Sequence, residues 1–576
     1  MAALLNPHVS VALATRFGSD EDADCSILFV RSTAVEPAAG PDSGAAPGAA
    51  PADGSSAAPA RPGEALAKPF PAHKMVLRAA SGWFKIKLDY KRAGQLDGDA
   101  AAASRRRRPP ANSHGRHRRP AAGQKSHTAT AGALDCLTVL RVQLGSATEV
   151  PAARAAIRFA YTGAVEAGSS VREVLELYRQ GQYLQVEGCG TACIAAIEDK
   201  LNAVPSDGTS GDGGADGSGA SSASSSRGLP SSAQHPLLEL FSCGSMWPDD
   251  PAFCPVLSKA KSQLVSHFGD AITALNTPEL RQQLLALPAE GLEVLLESDD
   301  FGTDVEDTIL LLLATWVQRN GGRAGAVTVE RLCRLVRLAQ LSPGFAEVIL
   351  PALPYARWFP VKPAEAINLL SLCTSAGVAE KRRRLMEALK EKHDPQAPWF
   401  SSKPRRQCLA SGQGRTFEWT IREPQLCALQ PGSVRHLVCF DHKGLPFLSA
   451  RGFEWFPVIE YDPDAVAAGV TLYCELPSVY GLEEASLGGP LAALAQIGAR
   501  LEVDRWIRKG AFTCTFTAAD YIGIGGAAGL RIALPLRPLP AEKSLGGGKG
   551  AFVKYRWADY LWGGKVKGRV VLVPLR

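Results

Sequence analysis

Three stretches of this chain cannot assemble a core, and they dictate how the rest can fold. Residues 36–63 are almost wholly Pro, Ala, Gly, Ser and Asp, residues 93–132 form a second biased tract, and residues 205–234 are rich in Ser and Gly. Such compositions bury too little apolar surface to offset the entropy of ordering a backbone. Folded structure is therefore expected between them. The first two tracts (insertions at about 32–66 and 93–132) interrupt one block at 20–201 as loops, where extra length costs little. The third, 202–234, reads as a linker. With 576 residues, 46% of them apolar, the chain has material for three or four domains.

Periodicity assigns the blocks. Asp24 precedes a strand over Cys25-Ser26-Ile27-Leu28-Phe29-Val30, and Ala72-His73-Lys74-Met75-Val76-Leu77 reads as strand into helix, continued by Ser81, Trp83 and Phe84 to about Lys91. Leu137 to Val142 is a further strand. From Pro151 the pattern is helical and runs into Tyr161-Thr162-Gly163. Val171, Val174, Leu175 and Tyr178 mark one helix face, with Gly181 expected to stop the helix; Cys189, Cys193, Ile197 and Leu201 mark another. Helical spacing resumes over 235–392. Phe253 to Phe268 is one helix, Leu287-Pro288 opens another, and Asp304 is positioned to cap a third with a stripe of Val305, Ile309, Leu312, Leu313 and Trp316. Lys381 to Arg384 reads as a solvated helix face. Over 414–576 the period changes to two, as in Phe417-Glu418-Trp419-Thr420-Ile421, Val470 to Leu476, Ala511 to Phe516 and Arg569 to Val573. Turn residues at this spacing fit an antiparallel β-sandwich.

The net charge of +6 is local: residues 104–134 hold eight basic side chains and no acid. Arg105, Arg106, Arg107 and Arg108 form the candidate nuclear-import tract; a solubilising insertion is the other reading. No aromatic residues interleave, so nucleic-acid binding is not expected. None of the thirteen cysteines forms a C-x-x-C pair, which leaves zinc sites without support. Met1 to Ser10 lacks the features of a secretory signal, and no apolar run approaches the roughly 20 residues of a membrane span. A cytoplasmic or nuclear location is expected, with no membrane contact.

The order Asp24, buried strand, His73-Lys74, helix, Tyr161-Thr162-Gly163 resembles the BTB/POZ fold, an α/β interaction domain. Leu287-Pro288, Leu295-Leu296, Ser298-Asp299-Asp300, Glu306, Trp316-Val317 and Val336-Arg337 resemble the all-helical BACK domain. Phe417-x-Trp419-x-Ile421 resembles the start of a MATH (TRAF-like) sandwich. These resemblances make the chain a multidomain α+β protein and imply a substrate adaptor of a cullin-3 RING ubiquitin ligase, in which a BTB homodimer docks the cullin and the C-terminal block holds a protein substrate. They imply structural or dimer-contact roles for Asp24, His73, Lys74, Tyr161 and Gly163, and a cullin face at Trp83, Phe84, Leu88 and Tyr90. Phe453 to Tyr461 would be a ligand-proximal hairpin, with Tyr473 and Phe552 in a substrate groove. Many cullin-binding BTB domains carry an apolar-x-Glu element after the helix, where this chain has Leu88-Asp89-Tyr90. The alternative is an oligomerising BTB scaffold or transcriptional co-regulator without cullin.

No catalytic, cofactor or metal site is expected. Gly523-Ile524-Gly525-Gly526-Ala527-Ala528 fits G-x-G-x-x-A, but the stretch that follows is β-like and cannot offer a helix N-terminus to a pyrophosphate. Gly546 to Lys549 reads as another turn, His73 as structural, and Glu483-Glu484 as a polar turn. Trp455, Trp506 and Trp562 look exposed and keep a carbohydrate-binding sandwich in view.

Overall fold

The computed structural model describes residues 7–32, 63–90, 138–166, 168–203, 235–375, 377–390, 397–409, 414–427, 435–437, 439–440, 445–461, 465–482, 493–507, 510–517, 519–538 and 548–575. Arg105 to Arg108 and most of the 202–234 linker lie outside the described residues. The fold is mixed α+β and divides into two compact units, Met1–Ser258 and Lys259–Arg576.

The first unit is built on strands β1 (Cys25–Arg31), β2 (Phe70–Ala72) and β3 (Thr138–Leu144) in the order β2-β1-β3. The central β1 is apolar and buried on both faces, whereas β3 buries only Leu140, Val142 and Leu144 in strict alternation. β1 runs antiparallel to β2 and parallel to β3. A parallel pair needs a crossover, and the helices Lys74–Ala80 and 82–90 lie in it. Helices Val150–Thr162, Val171–Tyr183 and Cys189–Asn202 follow. Ser170 and Glu173 close a capping box on the second of these. Gly181 does not end this helix as expected; it lies inside it. A β-carbon there would meet Cys189 Sγ at 2.6 Å, so glycine permits the close approach of the next helix. Cys189, Cys193, Ile197 and Leu201 are all buried. Helix Pro236–Ser242 also belongs to this unit, where the Glu239 carboxylate accepts from the Val171 and Arg172 N–H groups at 3.1 and 3.2 Å.

The helical part of the second unit surrounds helix Glu306–Ala324, whose residues from Glu306 to Val317 are buried on every side and not along a single stripe. Asp304 does not cap this helix. Val305 occupies the cap position, and Asp304 turns away to accept from the Arg451 N–H at 3.1 Å. Three acids at this helix start need partners. Glu306 accepts from the Arg337 N–H at 2.8 Å and from Arg405 Nε at 3.1 Å, both charged side chains being buried. The remaining Arg405 donors reach the carbonyls of Leu296, Ser298 and Leu335. Asp307, fully buried, accepts from the Ser342 N–H at 2.8 Å and hydroxyl at 2.5 Å. Trp316 donates to the Leu287 carbonyl at 2.8 Å, tying the long helix to the start of helix Ala289–Glu297. On helix Ala379–Leu389, Arg383 and Arg384 pair with Glu380 in solvent, but Arg382 reaches the Leu372 carbonyl.

The β part contains strands β4 (Arg415–Arg422), β5 (Arg435–Leu437), β6 (Cys439–Phe440), β7 (Leu448–Ala450), β8 (Phe453–Glu460), β9 (Ala467–Glu475), β10 (Leu494–Ala495), β11 (Ala499–Arg505), β12 (Gly510–Phe516), β13 (Ile522–Gly523), β14 (Gly526–Pro535), β15 (Leu561–Trp562) and β16 (Lys565–Leu572). One antiparallel sheet runs β12-β11-β16-β4-β6 and a second β14-β9-β8-β5, as the two-residue alternation predicts, and β10 and β13 form a separate two-stranded pair. Phe453 to Tyr461 is not a hairpin by itself but holds the interior strand β8 (Phe453–Glu460), in which Phe453, Trp455, Phe456, Val458 and Ile459 are all buried. Trp455 is thus a core residue, while Trp562 is exposed and stacks on Trp506. Gly523 to Ala528 spans β13 into β14 with no helix after it, and Gly548, expected in a turn, opens helix Gly548–Arg556.

The helical and β parts of this unit share a packed seam. Asn276 and Ser449 exchange two hydrogen bonds of 2.8 and 2.7 Å, Phe345 meets Phe453 edge-on at 5.2 Å, and Trp358 donates to the Tyr480 carbonyl at 2.9 Å. Gly452, at φ +76°, sits where a β-carbon would collide with the Phe345 ring.

Two outcomes are expected from the buried charges. Arg405→Ala strands Glu306 without its counter-ion and should cost the second unit about 3–5 kcal/mol in urea denaturation. Burial lifts the Asp307 carboxyl from an ordinary 3.8 to about 7. A folded value above the unfolded one favours the fold fully below the unfolded value, and that stability is lost as the pH rises towards 7. Between pH 5 and 8 the wild type should therefore lose on the order of 2–3 kcal/mol relative to Asp307→Asn, read from paired denaturation curves.

Candidate interaction surfaces

In the first unit, four of the five residues assigned structural roles meet around the start of helix Lys74–Ala80. The Asp24 carboxylate accepts from the Lys74 N–H at 2.7 Å, capping that helix from the strand side. The bond uses the Lys74 backbone, so it assigns the lysine side chain no role. The Tyr161 hydroxyl accepts from the His73 N–H at 2.8 Å and lies 3.2 Å from Nδ1 of the same residue. Nε2 of His73 lies 2.9 Å from the Glu21 carbonyl. A carbonyl can only accept, so Nε2 donates to it, and in the tautomer with its single proton there Nδ1 accepts the tyrosine O–H. Burial pushes the Tyr161 phenol up to about 12, which keeps it a donor. Gly163 terminates helix Val150–Thr162 in the left-handed region at φ +65°, its N–H donating to the Phe159 carbonyl at 2.7 Å. These residues act as a lock between strand, crossover and helix.

The proposed docking face is reshaped by the structure. Phe84 is buried in the core, anchored where its N–H donates to Ser81, so it supports the surface from below. Leu88 is half-buried, Tyr90 is 81% exposed, and Trp83 is half-buried with its ring 6.3 Å from Tyr183 and Lys87 above it. Ile86, 64% exposed, belongs to the same face and was missed. Trp83, Ile86 and Tyr90 follow the i, i+3, i+7 spacing of one helix side, a signal the sequence carried. Asp89 is tied to Arg78 at 2.9 Å. A second feature of this unit is a groove of about 580 Å³ between helices Val150–Thr162 and Val171–Tyr183, lined by Ala155, Arg158, Glu166 and Leu177 among others.

In the β part, Tyr473 of β9 is half-exposed and donates from its hydroxyl to the Gly525 carbonyl. Phe552 lies on helix Gly548–Arg556, which packs on helix Glu423–Cys427 beyond β4 of the other sheet. The two candidate groove residues therefore lie on different elements, Tyr473 on a strand of one sheet and Phe552 on a helix. Among the described residues no group of three or more His, Cys, Asp and Glu side chains could hold a metal ion, and no helix is long and apolar enough to cross a membrane.

Comparison with known families places one segment. Residues 270–349 match the BACK family, described as BTB And C-terminal Kelch. No curated protein matches the chain. The matched segment contains the Trp316–Leu287 bond, the Glu306–Arg337 bond and the Asp307–Ser342 pair, which hold its helices together.

Tyr161→Phe removes the acceptor of the His73 N–H and the donor to Nδ1 in one step. It should lower the stability of the first unit by about 1–3 kcal/mol in urea unfolding, the cost of polar groups left unsatisfied on burial.

Proposed function

We propose that this chain is a non-catalytic substrate adaptor of a cullin-3 RING ubiquitin ligase. The BACK match at 270–349 carries this reading, since such domains occur in cullin-3 substrate adaptors. The first unit, by its resemblance to BTB/POZ domains, docks the cullin through the Trp83, Ile86, Leu88 and Tyr90 face and pairs as a homodimer. The β part, by its resemblance to MATH domains, holds a protein substrate at a surface that includes Tyr473. No bond is made or broken by this chain. It raises the effective concentration of substrate at a ubiquitin-loaded enzyme, and a symmetric pair offers two such sites.

A second reading rests on a specific observation. The acid that follows Leu88 is an aspartate already bound to Arg78, not a free glutamate. This favours an oligomerising scaffold or transcriptional co-regulator that binds no cullin.

Size-exclusion chromatography with light scattering separates the two. The full chain mixed with a cullin-3 N-terminal fragment should co-elute with it, and Ile86→Glu/Tyr90→Glu, which alters only exposed side chains, should abolish the complex while keeping the circular dichroism of the wild type. A stable homodimer with no cullin bound would instead establish the scaffold.

A further inference from the structure

One end of the β16 sheet carries an exposed aromatic ring beside cations that lack partners. Trp562 of β15 is the register partner of Lys565 on β16, and Lys565 is in turn the partner of Arg422 on β4. Register partners share a face, so the three side chains stand in one row on the outer side of the sheet. Lys567 follows two residues along β16, on the same side. The other side takes Val566 and Ile421 into the core. Only Gly563 and Gly564 separate Trp562 from Lys565. Both lie in the left-handed region, at φ +54° and +74°, as a tight two-residue hairpin turn requires. Trp562 stacks on Trp506 at 5.5 Å and 27°, yet remains 62% exposed. Trp506 covers one face of the indole, and the other is open to solvent.

The cations of this face lose their partners towards the ring. Arg569 is bonded to Glu502 at 2.5 Å. Lys567 acts on Asp504 electrostatically without forming an ion pair. Glu423, next in sequence to Arg422, is taken by Lys554 at 3.5 Å. Among the described residues, Lys565 and Arg422 have no ion pair, and the Arg422 side chain is exposed. Like charges directly opposite one another destabilise a strand pair, so the row gains when an anion joins them. An open indole beside unpaired cations suits a single nucleic-acid strand, whose bases stack on aromatic rings while its phosphates meet the positive charge. The basic tract at 104–134 has cations without such a ring. An acidic peptide would answer the cations and bring no planar partner for the indole.

We propose that this end of the sheet binds single-stranded nucleic acid, with one base on the open face of Trp562 and the flanking phosphates on Lys565, Lys567 and Arg422. Tyr473 stands on the other sheet, so this surface is separate from the one proposed above for a protein substrate.

The test is fluorescence polarisation with the full chain and three labelled dodecamers: oligo-dT, oligo-rU and a Glu peptide. At least one oligonucleotide should bind saturably, and the tighter of the two names the sugar. Trp562→Ala should weaken that binding by about tenfold, the loss of one base stack, and Trp562→Phe should retain most of it. Lys565→Gln/Lys567→Gln should also weaken it, and should flatten the log–log salt dependence by about 1.4, as two lost phosphate contacts predict. All three variants alter side chains outside the core and should keep the circular dichroism of the wild type. No binding of either oligonucleotide overturns the proposal. So does binding that none of these variants changes, which belongs to the 104–134 tract. A Glu peptide that binds as tightly as the oligonucleotides, and loses as much on the lysine substitutions, overturns it in favour of an acidic protein segment.

Discussion

The buried pair of Arg405 and Glu306 is the constraint on which the second unit depends. Glu306 stands at the first turn of the long buried helix, and negative charge there complements the helix dipole. Its partner arrives from 99 residues away, on the segment that leads from the helices to the first long β-strand. That segment is held along its length. Arg406 reaches the carbonyls of Asp300 and Gly269, Gln407 reaches that of Asp304, and Arg415 at the head of β4 pairs with Asp270 at 2.7 Å. The chain is threaded through the helical core before it enters the sheets. An ion pair so placed is a poor source of net stability, but removing either partner strands the other charge in the core, and Arg405 also ties the carbonyls of Leu296 and Ser298.

The consequence is mechanical. With Asn276 clasping Ser449 and Phe345 packed on Phe453, the sheets sit on the helices as part of one core and not at the end of a tether. For an adaptor this matters, because effective concentration falls when a linker lets two sites wander. On the proposed reading, any substrate held by β9 would be presented in a fixed orientation to the helical part.

Much of the fold was legible where the signal is local. The strands β1, β3, β4, β9, β12 and β16, and the helices that bury Cys189 to Leu201 and Phe253 to Phe268, follow directly from side-chain period. Asp24, His73 and Tyr161 could be singled out through their order along the chain, and the structure explains that order by one hydrogen-bonded lock. The failures share a different cause. Gly181 reads as a stop because nothing nearby in sequence reveals that Cys189 must pack against it. Asp304 has the residue type and position of a cap, yet Arg451, 147 positions on, takes it for the seam. The hairpin expected at Phe453 to Tyr461 rested on a family resemblance, and only the pairing of β8 with β7 on one side and β9 on the other shows a single strand there. The candidate docking face was legible in part: the spacing of Trp83, Ile86 and Tyr90 was present, but Phe84 has the same hydrophobicity, and only the fold tells its buried position from theirs.

The central claim, that the helices and sheets of residues 259–576 form a single cooperative core, is tested most directly by native-state hydrogen exchange followed by mass spectrometry. Amides of helix Glu306–Ala324 and of strands β8 and β9 should exchange through the same opening, with a common dependence on denaturant. Protection that persists in the strands after the long helix has exchanged would show two independent domains and contradict the account.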